Sequence, residues 1–477
     1  MIALRLVALS FAASALAATP SVATAATLAV PGSFSTISAA VAAANPSDVI
    51  EVSAGTYNES ASILVNDDNL TIRAVGGVVT VTAPSSAENV FDIQAVGVTL
   101  EGLTIARPTA DTDWRRTVQV GAGTLTLTNC IIEGPGNSVG VILFNGTDLT
   151  ATGTTFRNFN GAGSWAAAIF MEGNAGSPTD YTNVSLDNCT FGADCSGWIK
   201  AFDGAPPKIG NITVSNTVFN AAANPQAIRF GGNTTYDLTG NILFEDCEFT
   251  GTNLEVAEFH YTPNGRPVAL TFRRCQFNAY NSNRRAMYLD IPCDINFENV
   301  VWKGGQHETL LRFWGGPANV SFQHCTLIND GITGATSASG NAGSTLIDGY
   351  DGGGRTFTLR NSLLYAGSNH TAALVGDAGS AANRAYDIDW TIIQAGTASS
   401  GPVTITAGAN YSNATILFSN PGGRDYELQP ASPGVNSGTD LGITQDVLKR
   451  PRVVGGAPDY GAYENQTVSS VDEWSIM

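Results

Sequence analysis

Apolar and polar residues alternate along this chain in short bursts, and the bursts recur. LTLTNCII (125–132), VSLDNCTF (184–191), ILFEDCEF (242–249), LTFRRCQF (270–277) and VSFQHCTL (320–327) share one form. Each runs apolar, any, apolar, two polar residues, a small slot residue, any, apolar. In LTFRRCQF, Leu270, Phe272, Cys275 and Phe277 fall on one side, while Thr271, Arg273 and Gln276 fall on the other. That is the two-residue period of a strand. Extending the pattern puts the slot at Val75, Leu103, Cys130, Thr154, Cys189, Thr217, Cys247, Cys275, Val300, Cys325, Ser362 and Thr391, with 28 residues the commonest spacing.

A unit of that length is too short for a helix pair but suits a coil of two or three short strands. One coil cannot bury its apolar side alone, so neighbours must stack into a continuous core. The prediction is an all-β chain: a single right-handed parallel β-helix of about twelve coils, one for each slot. The slot becomes an interior column of small side chains, in which cysteine serves as one more small hydrophobe. The chain holds seven cysteines without the paired spacing of a zinc site, so packing is their expected role. The residue before the slot is often Asn (129, 188, 216, 299, 361), which suggests a column of amides satisfying backbone groups at a turn.

A different period appears near the start. In FSTISAAVAAANPSDVIEV, Ser35 or Thr36 can cap a helix whose Ile37, Ala40, Val41 and Ala44 form one apolar face. Pro46 ends it, and the helix is expected to cover the open first coil. The expected organisation is a signal peptide over 1–25, a cap over 26–49, the β-helix over 50–420, a closure over 421–464 and a tail over 465–477. The signal reading rests on Arg5, the short apolar run LVALSFAASALA and Ala-x-Ala sites ending at Ala17 and Ala25. No later segment approaches about 18 uncharged apolar residues, so no transmembrane segment is expected. A secreted, periplasmic or cell-surface location follows, and capped ends make a monomer the simplest state.

A second strand lies between slots: VILFN (141–145), AIFME (168–172), WIKAF (198–202), AIRFG (227–231), VAEFH (256–260), AMYLD (286–290), LLRFW (310–314) and LIDGY (346–350). Fourth positions, Phe144, Met171, Ala201, Phe230, Phe259, Leu289, Phe313 and Gly349, are assigned to the core. Third and fifth positions point outward, and they carry Phe170 and Glu172, Lys200 and Phe202, Arg229, Glu258 and His260, Tyr288 and Asp290, Arg312 and Trp314, Asp348 and Tyr350. Aromatic platforms interleaved with charges, roughly 4.8 Å apart on successive coils, suit an extended polysaccharide or cell-surface glycan.

Composition narrows the partners. The formal net charge of −18 argues against nucleic acid and against anionic membranes. High glycine (52) and a charged fraction of 13% favour strands and turns over helices.

The run TISAAVAAANPSDVIEVSAGTYNES (36–60) resembles the opening of secreted right-handed β-helix proteins of the pectin-lyase-like superfamily. LQPASPGVNSGTD through RPRVVGGAPDYGAYE (428–464) is similar to the C-terminal closure of bacterial surface members of that group. The resemblance implies the fold. It implies less about activity, because that fold hosts many. The Gly-His-Gly, Asn-Thr-Asp and Arg-Ile-Lys motifs of polygalacturonases are absent, as are Trp-Ile-Asp-His and Arg-x-Pro-x-x-Arg of pectate lyases. The lysine–arginine pairing of alginate and chondroitin lyases has no evident counterpart in the sequence.

Two chemistries fit the stripe. A uronan lyase would use Lys200, Arg229 and Arg312 to hold the carboxylate, with His260, Tyr288 or Lys200 as base or acid, and Ca²⁺ is a candidate bridge to the substrate. A glycoside hydrolase would use the carboxylates Glu258 and Asp290. The remaining substrate contacts would fall to Phe170, Glu172, Phe202, Trp314, Asp348 and Tyr350. A non-catalytic glycan-binding, adhesive or structural surface protein would share the same stripe.

Overall fold

The computed structural model describes residues 25–467, apart from 108–114, 137, 162–165, 174–179, 202–207, 222–227, 232–236, 253–255, 260–268, 281–285, 292, 304–308, 314–318, 330–344, 350–355, 368–372, 377–383 and 402. The proposed export signal up to residue 24 and the end of the tail lie outside those residues.

The chain winds as a parallel β-helix, as the repeat predicts. One long sheet, here sheet A, takes two consecutive segments from most coils, and a 13-stranded sheet B takes a third. Pairing between coils is parallel throughout both sheets. Leu270, Phe272 and Arg273, for example, lie over Ile242, Phe244 and Glu245 and under Ile295, Phe297 and Glu298. Each strand therefore stacks on its own counterpart in the coils before and after it.

The two segments of sheet A meet at a corner, and the residue before the slot makes it. Asn129, Asn188, Asn216, Asn299 and Asn361 all have φ between 48° and 53°, and Asp246, Arg274, His324, Trp390, Gly102 and Gly153 occupy the same left-handed region on other coils. Asparagine tolerates that conformation better than most residues, which explains its frequency there. A further side-chain ladder runs along the strand starts. Asp148 Oδ1 accepts from the Asn183 backbone N–H at 2.9 Å, Asn183 Oδ1 from Asn211 at 2.8 Å, and Asn211 Oδ1 from Asn241 at 3.0 Å.

One register differs from expectation. Val79, not Val75, lies under Leu103 and is buried, because the bulge around Gly76 and Gly77 inserts residues into the early coil.

The slot column does more than fill space. Cys130 Sγ donates to the Leu100 carbonyl of the preceding coil at 3.2 Å, Cys275 to Phe244 at 3.3 Å and Cys325 to Phe297 at 3.3 Å. Thr217 and Ser362 hydroxyls donate to the carbonyls two residues back at 2.7 and 2.9 Å, and in turn accept from the Cys189 and Cys325 N–H groups. Thiol and hydroxyl are interchangeable here because each is a small donor. All seven cysteines are buried and unbridged, and burial pushes the thiols of Cys130 and Cys189 up to about 11 and that of Cys325 up to about 12.

Two residues beyond the slot, interior rings stack without interruption. Phe156, Phe191, Phe219, Phe249, Phe277 and Trp302 follow one another with centroids 4.9, 4.6, 4.8, 4.6 and 4.3 Å apart. A second stack runs through Phe244, Phe272, Phe297 and Phe322. Such contacts contribute about 0.5–1.5 kcal/mol each beyond area burial.

At the first coil, helix α1 (Ile37–Ala43) turns Ile37, Ala40 and Val41 into the core, with Thr36 as its cap. Glu59 accepts from the Ile37 and Ser38 N–H groups at 2.8 and 3.2 Å and so occupies the helix start.

The chain after residue 415 runs back along the flank of the coils. Ile416, Phe418, Tyr426, Leu428, Val447, Tyr460, Ala462 and Tyr463 pack on outward-facing Val301, Ile328, Leu363 and Ile392. A buried polar knot fixes this strap. Arg452 donates to the carbonyls of Gly461, Ala462 and Tyr463 and to corner residue Asn299. Glu464 accepts from Val454 and Asp459 N–H groups at 3.0 and 2.9 Å. His324 and Asn361, both corner residues, bond Asp459 and Thr439 of the strap. His324 acts structurally here: burial holds its ring neutral, with a pKa pushed down to about 2.

Phe249→Ala, in mid-stack and fully buried, is expected to cost about 3–5 kcal/mol in urea unfolding. Burial raises the Glu464 carboxyl to about 7, above its ordinary 4.5. A raised folded-state pKa gives stability that is complete below pH 4.5 and lost as pH rises through about 7. Strap protection against proteolysis should therefore fall across that window, and Glu464→Gln should flatten the slope.

Candidate functional site

Sheet B carries the predicted stripe as a single ladder. Consecutive rungs pair Ile142 with Phe170, Phe170 with Lys200, Lys200 with Arg229, Arg229 with Glu258, Glu258 with Tyr288, Tyr288 with Arg312, and Arg312 with Asp348. Their neighbours along each strand, such as Ile199 and Ala201 or Met287 and Leu289, belong to the core. Alternation thus directs the ladder away from the interior.

Outward does not mean exposed. Lys200 is 4% exposed and Glu258 3%, while Tyr288, Arg312 and Asp348 are also buried. The expectation of an open charged groove is corrected in this respect: the ladder points away from the core yet is shielded from water. The Arg229 side chain, at 20%, is the more accessible member of its pair with Glu258.

Burial forces the charges into partnership. Arg312 Nε donates to Asp348 Oδ2 at 2.9 Å, and Arg229 Nε lies 3.6 Å from Glu258 Oε2. Lys200 sits one rung from Arg229. Desolvation, and then the guanidinium charge, lower its amine to about 7. Its surroundings thus favour the neutral amine more than water does.

Toward the first coils the ladder becomes apolar. Phe170, expected as an aromatic platform, is buried outside the coil against Val139, Ile142 and Ala167. Phe144, assigned to the core, pairs with Glu172 and packs on this outer cluster instead. The alignment of VILFN was one residue out, and Leu143 takes the interior place over Met171. The Arg116 guanidinium lies 6.0 Å from the Phe144 ring centroid. Burial raises the Glu172 carboxyl, and Arg116 opposes that shift. Asp290 is partly buried at the end of its strand, its N–H donating to the Phe259 carbonyl at 3.0 Å. Phe202, His260, Trp314 and Tyr350 lie outside the described residues.

One contributor had no signal in the sequence. A Cβ on Gly197 would overlap the Lys200 Cε and the Ala166 carbonyl, so the absent side chain makes room for the lysine. Among the described residues, no group of three or more His, Cys, Asp and Glu side chains comes together to hold a metal. Glu258 and Asp348 are each engaged by an arginine. Among the same residues, no helix is long and apolar enough to cross a membrane.

This architecture is that of a parallel β-helix. No family model matches the chain, and no curated protein does. Among solved structures it is similar to the pectate lyase Pel9A, at 14% identity and a TM-score of 0.39, covering 93% of this chain and 97% of that one. It is also similar to a PL6 alginate lyase in complex with a trisaccharide, at 12% identity and a TM-score of 0.43, with coverage of 83% and 90%. A mannuronic-acid-specific family 6 polysaccharide lyase from human gut microbiota matches at 13% identity and a TM-score of 0.36, with coverage of 80% and 83%.

Asp348→Ala would leave the Arg312 charge buried beside an apolar residue, and a loss of about 3–5 kcal/mol is expected in chemical unfolding. The double replacement Arg312→Met with Asp348→Leu should cost less than that single change.

Proposed function

We propose that this protein is an exported carbohydrate-active β-helix that takes an acidic polysaccharide at the outer face of sheet B and cleaves it by β-elimination. The observation that supports this reading is the adjacency of Lys200, a buried amine lowered to about 7, with Arg229 on the next rung. Elimination from a uronate needs a base for the proton beside the carboxylate, and a cation to stabilise the charge that develops there. The neutral Lys200 amine supplies the base. Arg229, oriented by Glu258, supplies the cation at the more accessible side of that pair. The electron pair left by the proton forms the ring double bond as the glycosidic C–O bond breaks. The new Lys200 ammonium is then placed to protonate the departing oxygen. Tyr288 lies three rungs from Lys200, roughly 14 Å at ordinary strand spacing. That is too far to share the same bond, so the lysine takes both proton transfers.

The glycosidase reading draws less support. Glu258 is buried and lies 3.6 Å from Arg229, so its carboxylate serves that arginine rather than an approaching glycosidic oxygen. A non-catalytic glycan-binding protein is the second reading, supported by the burial and internal pairing of Arg312 and Asp348.

Alginate, pectate and chondroitin, each with and without Ca²⁺, should be followed at the absorbance of unsaturated uronates alongside reducing ends. A rise in both signals is expected, with kcat/KM increasing through pH 7 as the Lys200 amine loses its proton. Lys200→Met should lower the rate by about 10²–10⁴-fold. Undiminished rates in Lys200→Met, or no unsaturated product from any uronan, would defeat the lyase reading. Reducing ends alone would move the chemistry to carboxylates.

A further inference from the structure

The strap leaves a cleft of about 240 Å³ on the flank, on the sheet A side of the coils. It forms where Val447, Leu448 and Lys449 cross three successive coils beside Asn216, Asp246 and Arg274. These are the left-handed corner residues, so the backbone itself sets the cleft floor. Lys449 pins the strap there by donating to Asn216 Oδ1 at 3.1 Å and pairing with Asp246 at 3.2 Å. Arg274 clamps both Asp246 oxygens from the next coil, at 2.7 and 3.1 Å.

With those pairs made, the polar groups left over are of a particular kind. Glu248 and Gln276 occupy adjacent rungs of one column. Both bonds made by the Glu248 carboxylate, from Asn278 and Thr250, use Oε1. The partly buried Gln276 carboxamide makes no hydrogen bond among the described residues. Beside them Leu448 is 42% exposed, while Val447 just before it packs on the coils. An acceptor, an amide and an aliphatic face therefore converge on one small space, whose formal charges cancel: Asp246 and Glu248 against Arg274 and Lys449.

We infer that this cleft is a binding site for a single neutral sugar residue, separate from the sheet B ladder. Hydroxyls both donate and accept, so one diol can donate to the Glu248 carboxylate and pair with either end of the Gln276 amide. The C–H face of the ring would lie on Leu448. A carboxylated sugar is disfavoured, because its charge would approach Glu248 or break the Asp246 pairs. The site would hold a glycan chain to the flank of the protein whether or not the ladder is catalytic.

The test uses the full-length mature protein and saturation-transfer NMR, with methyl β-glucopyranoside, methyl α-mannopyranoside and methyl β-galactopyranoside as probes and methyl glucuronide as the charged control. Millimolar binding of at least one neutral glycoside is expected, weakened fivefold or more by Gln276→Ala and by Leu448→Ser, both at positions outside the core. Lys200→Ala should leave this binding unchanged, and loss of signal in that variant would assign it to the ladder and overturn the proposal. So would tighter binding of the glucuronide, indifference to both flank substitutions, or no transfer from any neutral glycoside.

Discussion

Everything in this molecule depends on hydrogen bonding between like segments of consecutive coils, kept in register by a left-handed corner. A parallel pair one residue out of step would turn every interior side chain to the outside. The corner prevents this by starting the second segment of sheet A at the same place in each turn. Asparagine or glycine does so at low cost, whereas Arg274, His324 and Trp390 are held there by their surroundings. For His324 those surroundings are the carbonyl of Asp459 and the amide of Asn361.

In-register stacking also decides what each column can contain. Inside, rings lie over rings and small donors over carbonyls, and both arrangements improve with repetition. Outside, the same geometry brings Lys200 beside Arg229, a like-charge contact that a register free to slip would avoid. The price is visible in the lowered lysine. Carboxylates on the following rungs restore balance, Glu258 for Arg229 and Asp348 for Arg312. A buried amine next to a fixed cation is thus a product of the fold's periodicity as much as of local sequence.

The strap supplies long-range order of a different kind. Arg452, Asp446, Asp459 and Glu464 are all buried, and their bonds run mainly to backbone groups of a segment with little regular structure. Polar side chains here replace the ladder hydrogen bonds that strands would have made. Gly461, at φ 91°, passes so close to Thr326 and Leu363 that a methyl group would collide with both. The DYGAYE run is therefore a docking sequence for the corner column, while Val447, Leu448 and Lys449, by crossing three coils, create the flank cleft.

The amino-acid sequence determined the coil, its period, the interior column and the direction of each ladder residue, because a two-residue alternation repeated a dozen times has one consistent solution. It also offered Ser35 or Thr36 as the helix cap, of which the structure uses Thr36. It misplaced Val75 and Phe144 where an insertion or an extra apolar residue made two alignments equally good. It also gave no warning that the charged stripe would be shielded. Only the tertiary structure decided that, since alternation records the side of a sheet a residue faces, and not what lies over that side. Which arginine takes which carboxylate, the room Gly197 leaves for Lys200, and the return of the strap to Asn216 depend likewise on groups far apart in the chain. Their energies arise from desolvation and contact between segments, and no local pattern encodes them.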